Sequence, residues 1–191
     1  MAYTLSSFKT ALKNGGARPN LFEVNLTIPT SITKATTYSD DTFSMLCKAA
    51  ALPASNVASI DVPFRGRIFK VAGDRTFDTW TVTIINDEDF MIRTTMETWM
   101  QQIAQYGDAS GFTKPEEYMT NATVKQLTRK STTTTKTEEG GLTPIKAYKF
   151  YDIFPTNVSA IDLSYDTADT IEEFTVEFQV QYWAPEAIIA S

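Results

Sequence analysis

Apolar and polar residues alternate along several stretches of the chain, most sharply over residues 77–85. There Trp80, Val82 and Ile84 fall on one side and Thr79, Thr81 and Thr83 on the other. Period two with β-branched residues predicts a strand with one buried face. Gly73-Asp74 just ahead of it reads as a turn. The same period recurs over 21–28, where Phe22, Val24, Leu26 and Ile28 oppose Glu23, Asn25 and Thr27 until Pro29 closes the strand. After a polar loop or long hairpin tip over 30–41, Phe43, Met45 and Cys47 predict a strand ending at Leu52-Pro53. Over 54–70 the apolar residues Ile60, Val62, Phe64, Ile68 and Phe69 are interrupted by Pro63 and Gly66. That pattern predicts an irregular, extended hairpin with Arg65-Gly66-Arg67 near its tip.

Residues 122–137 read as a strand pair or one long strand, with 131–141 an exposed loop of low complexity. Residues 145–154 are apolar on both faces, which marks a central strand or one in an interface. Ile161, Leu163 and Tyr165 extend a strand over 158–165. The last strand sets Phe174, Val176, Phe178, Val180 and Tyr182 inward against Thr175, Glu177, Gln179 and Gln181, and Pro185 ends it.

A different period appears in Ile92, Met96, Trp99, Ile103 and Tyr106, spaced by three and four. It predicts a helix over about 87–106 with one apolar stripe, capped by Asn86 or Asp87 and stopped at Gly107. Asp87, Glu88 and Asp89 favour the positive end of its dipole. A short helix over 3–13 carries Leu5, Phe8 and Leu12 on one face and ends at Gly15-Gly16, and Pro115 opens a helical turn. The fold class is therefore mainly β (α+β), an antiparallel β-sandwich or partly open barrel with one flanking α-helix. Residues 1–191 form a single domain.

Composition narrows the chemistry. The net charge is −6, which argues against a protein that grips nucleic acid through phosphate contacts. No Lys or Arg follows Lys149, while Asp152, Asp162, Asp166, Asp169, Glu172, Glu173, Glu177 and Glu186 do, as on a solvated acidic face. The chain has no histidine, which removes the usual neutral-pH general base and the commonest metal ligand. No phosphate loop, Cys-x-x-Cys or calcium-loop spacing is present, so no metal and no cofactor is expected. Carboxylate pairs such as Asp74 with Asp78 and Glu172 with Glu173 read as turn and surface groups, not as a catalytic centre. Cys47 is the single cysteine and reads as a small core hydrophobe. No leader or membrane-length apolar run is seen, so no membrane anchor is expected. The sequons at Asn25, Asn121 and Asn157 are chance matches.

The run from Val71 through Gly73-Asp74-Arg75-Thr76-Phe77 to Thr83 resembles the tail tube proteins of T-even-like contractile-tailed bacteriophages. Ala17-Arg18-Pro19-Asn20-Leu21-Phe22, Cys47 to Pro53, and Phe154-Pro155-Thr156-Asn157-Val158 with Tyr182-Trp183 match the same family in the same order. Residues 29–42 and 131–141 depart from its pattern. The resemblance implies a structural virion protein and no enzyme. Its hexameric rings stack into the inner tube of a contractile tail, a DNA conduit for genome ejection. The family shares its core fold with the tube proteins of type VI secretion. Implied partners are further copies of the chain, the sheath, the tape measure protein, the baseplate and the tail terminator; DNA passes without tight binding. The implied location is the virion tail, assembled in the host cytoplasm.

On this reading Val62, Phe64, Arg65, Arg67 and Phe69 are the candidate ring-stacking residues. The lumen-facing acidic residues are not identified. Strands over 43–50, 62–71, 79–85 and 158–165 are lumen candidates, and the strand over 174–182 is excluded. A second reading is a β-sandwich module that recognises carbohydrate or a host surface receptor, with Tyr38 or Trp183 stacking on sugar.

Overall fold

The computed structural model describes residues 4–12, 15–35, 38–108, 110–128 and 144–186. The low-complexity loop expected over 131–141 lies outside them. Helix α1 (Leu5–Ala11) comes first, then β1 (Phe22–Leu26), α2 (Asp40–Leu46), β2 (Cys47–Ala50), β3 (Ser55–Phe64), β4 (Arg67–Phe77) and β5 (Trp80–Ile85). Helices α3 (Met91–Ile103) and α4 (Pro115–Tyr118) precede β6 (Thr120–Leu127), β7 (Pro144–Val158), β8 (Glu173–Gln179) and β9 (Tyr182–Glu186).

Seven strands form one antiparallel sheet in the order β1-β6-β7-β8-β5-β2, with β9 added beside β7. The sheet is large and open, and β3 and β4 form a separate two-stranded ribbon. Strand β7 is the corner. Over Ala147–Tyr151 it pairs with β9 and, on its other edge, with β6. Over Phe154–Val158 it pairs with β8. Between the two halves Asp152 has φ 53° and donates its N–H to Asn121 Oδ1 at 3.2 Å. This bulge changes the phase of the strand: Phe150 is buried before it, Ile153 and Pro155 after it. The apolar residues on both faces, predicted to mark a central or interface strand, thus belong to a central strand that turns over halfway.

The two halves of the bent sheet meet on Trp80, which is fully buried. Its ring stacks on Phe150 at 4.9 Å and lies against Phe178 at 5.3 Å, joining the two halves of the sheet. Val82, Ile84, Phe174, Val176 and Phe178 continue the same inner face, as the alternation predicts. Helix α3 covers this core through Ile92, Met96 and Trp99, and Trp99 donates its indole N–H to the Tyr118 carbonyl at 2.9 Å.

Several elements differ from the expectation. Helix α3 spans 13 residues, not 87–106. Asp87, Glu88 and Asp89 lie in the turn before it; Phe90 is its cap residue with φ 51°, and Asp87 Oδ1 accepts from the Met91 N–H at 3.3 Å. Tyr106 lies beyond the helix and is 79% exposed. The strand expected from Phe43 and Met45 is helix α2. Ser39 caps it by accepting the Thr42 N–H, and Asp40 and Asp41 sit in its first turn. Phe43 is buried while Met45 is exposed, a helical and not a strand pattern. Gly73-Asp74 forms no turn: β4 continues through it to Phe77. Residues 159–172 form no strand. Tyr182 starts β9 and is partly exposed, and Pro185 lies inside that strand opposite Tyr148, an edge position where a missing N–H is tolerated.

Candidate assembly surface

Ribbon β3–β4 is more regular than its sequence suggests. Arg65 (φ 46°) and Gly66 (φ 83°) make a two-residue turn with both residues left-handed, the geometry that matches strand twist in tight hairpins. Cross-strand pairs assign the faces. Ile60↔Val71, Val62↔Phe69 and Phe64↔Arg67 alternate with Ser59↔Ala72, Asp61↔Lys70 and Pro63↔Ile68. The first face is an apolar stripe ending in an arginine. The second carries an ion pair, Lys70 Nζ to Asp61 Oδ1 at 2.8 Å.

A register shift between Val57 and Ser59 places an extra residue on β4 around Gly73. A Cβ at Gly73 would lie 3.1 Å from Ile60 Cγ1 and 3.2 Å from the Ala58 carbonyl oxygen, so the strands approach here as glycine allows. Phe77 anchors the root, edge-on to Trp183 at 6.0 Å. Asn56 donates to Asp78 Oδ1 at 3.2 Å, and the Asp78 N–H donates to the Ala54 carbonyl at 3.3 Å.

No residue from Ser55 to Phe77 is buried. Phe64 and Phe69 are each 66% exposed. Trp80 is completely buried, whereas a stripe of five large apolar side chains is exposed, a kind of contiguous patch that monomeric proteins rarely present. The fold brings Val62, Phe64, Arg67 and Phe69 onto one face, with Arg65 at the turn beside them, its guanidinium 5.5 Å from the Phe64 ring centre. Ile60 and Val71 belong to the same stripe and were not among the predicted residues, although period two from Val62 and Phe69 reaches both.

A second surface lies on the outer face of β5 and β8. Thr81 pairs with Glu177, Thr83 with Thr175 and Ile85 with Glu173, and Lys48 reaches Glu173. The threonine face of β5 and the Glu177 face of β8 are thus one surface. Counting one as a lumen wall while excluding the other is inconsistent with the pairing. Of the other lumen candidates, 43–46 is helical and 159–165 is loop.

The described residues hold no grouping of His, Cys, Asp or Glu suited to a metal ion. Burial pushes the Cys47 thiol up to about 12 and, with Asp40 nearby, raises the Tyr38 hydroxyl well above its ordinary value. Two hydrogen bonds from Ser110 lower exposed Asp108. The aromatic platforms of the carbohydrate reading are also displaced: the Tyr38 hydroxyl and the Trp183 indole nitrogen are buried, and Trp183 is packed between Phe77 and Tyr148.

A family model described as phage tail tube protein matches residues 17–186. The chain is 39% identical to the tail tube protein gp19 of Enterobacteria phage T4 over 167 residues, 87% of this chain and 90% of that one. It is 23% identical to the tail tube protein of Serratia phage KSP90 over 92% of this chain and 93% of the relative. Among solved structures, a chain of the sheath-tube complex of an extracellular contractile injection system superposes with a TM-score of 0.58 at 12% identity, covering 98% of this chain and 100% of that one.

Proposed function

The chain belongs to the phage tail tube protein family, and on that premise we propose that it forms six-membered rings that stack into the inner tube of a contractile tail. Its role is structural, as a component of the virion tail. The observation that carries the stacking is the β3–β4 ribbon, whose apolar face is left exposed among the described residues. Ala54 to Thr76 bridges neighbouring rings, with Val62, Phe64, Arg65, Arg67 and Phe69 in the contact. The sheath surrounds the tube, the baseplate starts it and the terminator closes it. The tape measure protein and then DNA occupy the lumen, and assembly takes place in the host cytoplasm.

The outer face of β5 and β8 suits the lumen wall. Threonines and glutamates present hydroxyls and carboxylates to a passing polyanion. Carboxylates repel phosphate over about 8 Å at physiological salt, so DNA slides and does not bind. Mass measurement and electron microscopy across concentrations test the assembly. Rings and stacked tubes are the expected result, and deleting Phe64 to Arg67 leaves a folded subunit that does not elongate. A monodisperse monomer at every concentration, even beside its baseplate, refutes the proposal.

A further inference from the structure

Two exposed surfaces of opposite charge lie at opposite ends of the β5–β8 ladder. The ribbon springs from the end where Trp80 pairs with Phe178. Residues 160–172 cross the other end, where Ile85 pairs with Glu173. Asn86 ties them down there, donating its N–H to the Glu172 carbonyl at 2.9 Å and its side-chain amide to Glu172 Oε2 at 3.0 Å. A six-residue strand separates the two ends by roughly 20 Å, and the ribbon is a two-stranded sheet of its own, separate from this ladder.

The ribbon tip is cationic and apolar. Arg65 and Arg67 are exposed beside Phe64 and Phe69, and no carboxylate among the described residues pairs with either arginine. The far segment is anionic and apolar. Asp162, Asp166 and Asp169 are exposed and make no ion pair among the described residues. Leu163, Tyr165 and Ile171 stand among them, Leu163 81% exposed, around an open hollow of about 680 Å³. This segment carries no cation.

We propose that the ribbon tip of one copy docks into the hollow of the 160–172 segment on a copy in the next ring. Phe64 and Phe69 meet Leu163, Tyr165 and Ile171, and Arg65 and Arg67 face Asp162 and Asp166. The inference rests on the stacked-ring reading and names the surface that receives the ribbon. A head-to-tail contact needs two different complementary patches on one chain, and a pair at opposite ends propagates as a filament. Apolar burial supplies the affinity, and the charges fix the register and reject the reversed approach.

A charge-reversal series tests this, each protein first checked for an unchanged thermal transition as a subunit. R65E/R67E and D162K/D166K should each raise the concentration needed for tube elongation about tenfold or more, because like charges then meet across the contact. The four substitutions together should restore elongation. A second readout pairs R67C with D166C, which should cross-link copies of adjacent rings in tubes and leave dispersed subunits unlinked. Normal elongation of D162K/D166K, as expected if the acidic segment faces a surrounding partner protein, overturns this inference while leaving ring stacking intact. Failure of the fourfold variant to regain elongation also overturns it. Absence of tubes from the unaltered protein instead overturns the stacking proposal on which it rests.

Discussion

Replacing Phe64 and Phe69 together by serine separates the stability of the subunit from the stability of the tube. Each ring is already 66% exposed, so its removal takes little from the isolated fold. Surface changes of this kind stay within about 0.5 kcal/mol, a shift of about 2 °C or less for a chain of this size. The stacked tube responds differently. Complete burial of a phenylalanine contributes about 2–3 kcal/mol, and two-thirds of each ring remains to be covered, or about 1.5–2 kcal/mol per side chain. Two such losses weaken each ring-to-ring contact by about 3–4 kcal/mol, a factor of roughly 150 to 1,000. Thermal unfolding of the dispersed subunit and sedimentation of tubes at rising concentration read the two quantities separately. A variant that unfolds as the parent does but needs far more protein to elongate supports the reasoning. Elongation at the parent concentration refutes it, because the stripe then lies outside the contact; a fall of 10 °C in the subunit transition refutes it in another way, because the ribbon then belongs to the core.

Trp80→Ala should cost about 3–5 kcal/mol and lower the transition by about 6–20 °C, since it empties the stack between Phe150 and Phe178; calorimetry checks this. Trp80→Phe should cost much less, because the indole N–H has no partner among the described residues and its loss breaks no hydrogen bond. Phe90→Asn should stabilise the subunit by about 0.5–1 kcal/mol, since asparagine tolerates the left-handed backbone at φ 51° better than phenylalanine does; a lower transition would argue against strain there. Cys47, pushed up to about 12 by burial, should resist thiol reagents in the native protein at pH 8 and react on unfolding. Because the folded state holds this proton more tightly than the unfolded chain, its contribution to stability is present below the ordinary thiol value of 9.0 and falls as pH rises from there toward 12. Replacing Glu177 with lysine should leave tube length unchanged and slow DNA release, measured as ejection rate.

Legibility in the sequence followed the physics of each element. The β5 and β8 patterns were readable because one face of each packs on the core and the other does not, so period two survives intact in Trp80, Val82 and Ile84. Helix α3 was readable through its stripe, but its start was not. The acidic run 87–89 imitates a first turn, while the chain uses a left-handed Phe90 to enter the helix one turn later. Helix α2 failed for a related reason. Phe43, Met45 and Cys47 satisfy period two by coincidence, whereas Ser39 followed by two aspartates was the informative signal. The corner in β7 and the separate β9 depend on a bulge at Asp152 and on pairing with distant strands, which local pattern does not encode. The arrangement of the ribbon's apolar stripe was half legible. Its residues were apolar in plain view, but Pro63 and Gly66 disguised a regular ribbon as an irregular one, and the shift at Gly73 decided which faces align.

The same interruptions explain how a subunit can expose such a stripe and still assemble in one way. A free two-stranded ribbon offers two open edges as well as two faces, and edges are the route to indiscriminate strand pairing. Here Pro63 removes one ladder donor, Asp61 and Lys70 charge the opposite face, and Arg65 and Arg67 crowd the tip. These features discourage edge-on addition of another chain but leave Ile60, Val62, Phe64, Phe69 and Val71 open to a partner that approaches the face. The core does not depend on the outcome, since Trp80 and its neighbours are complete without the ribbon. A subunit built this way keeps its core whether or not the ribbon face is covered. On the proposed stacking, the need for a partner surface that matches the stripe in shape and charge restricts growth to the end of an existing ring.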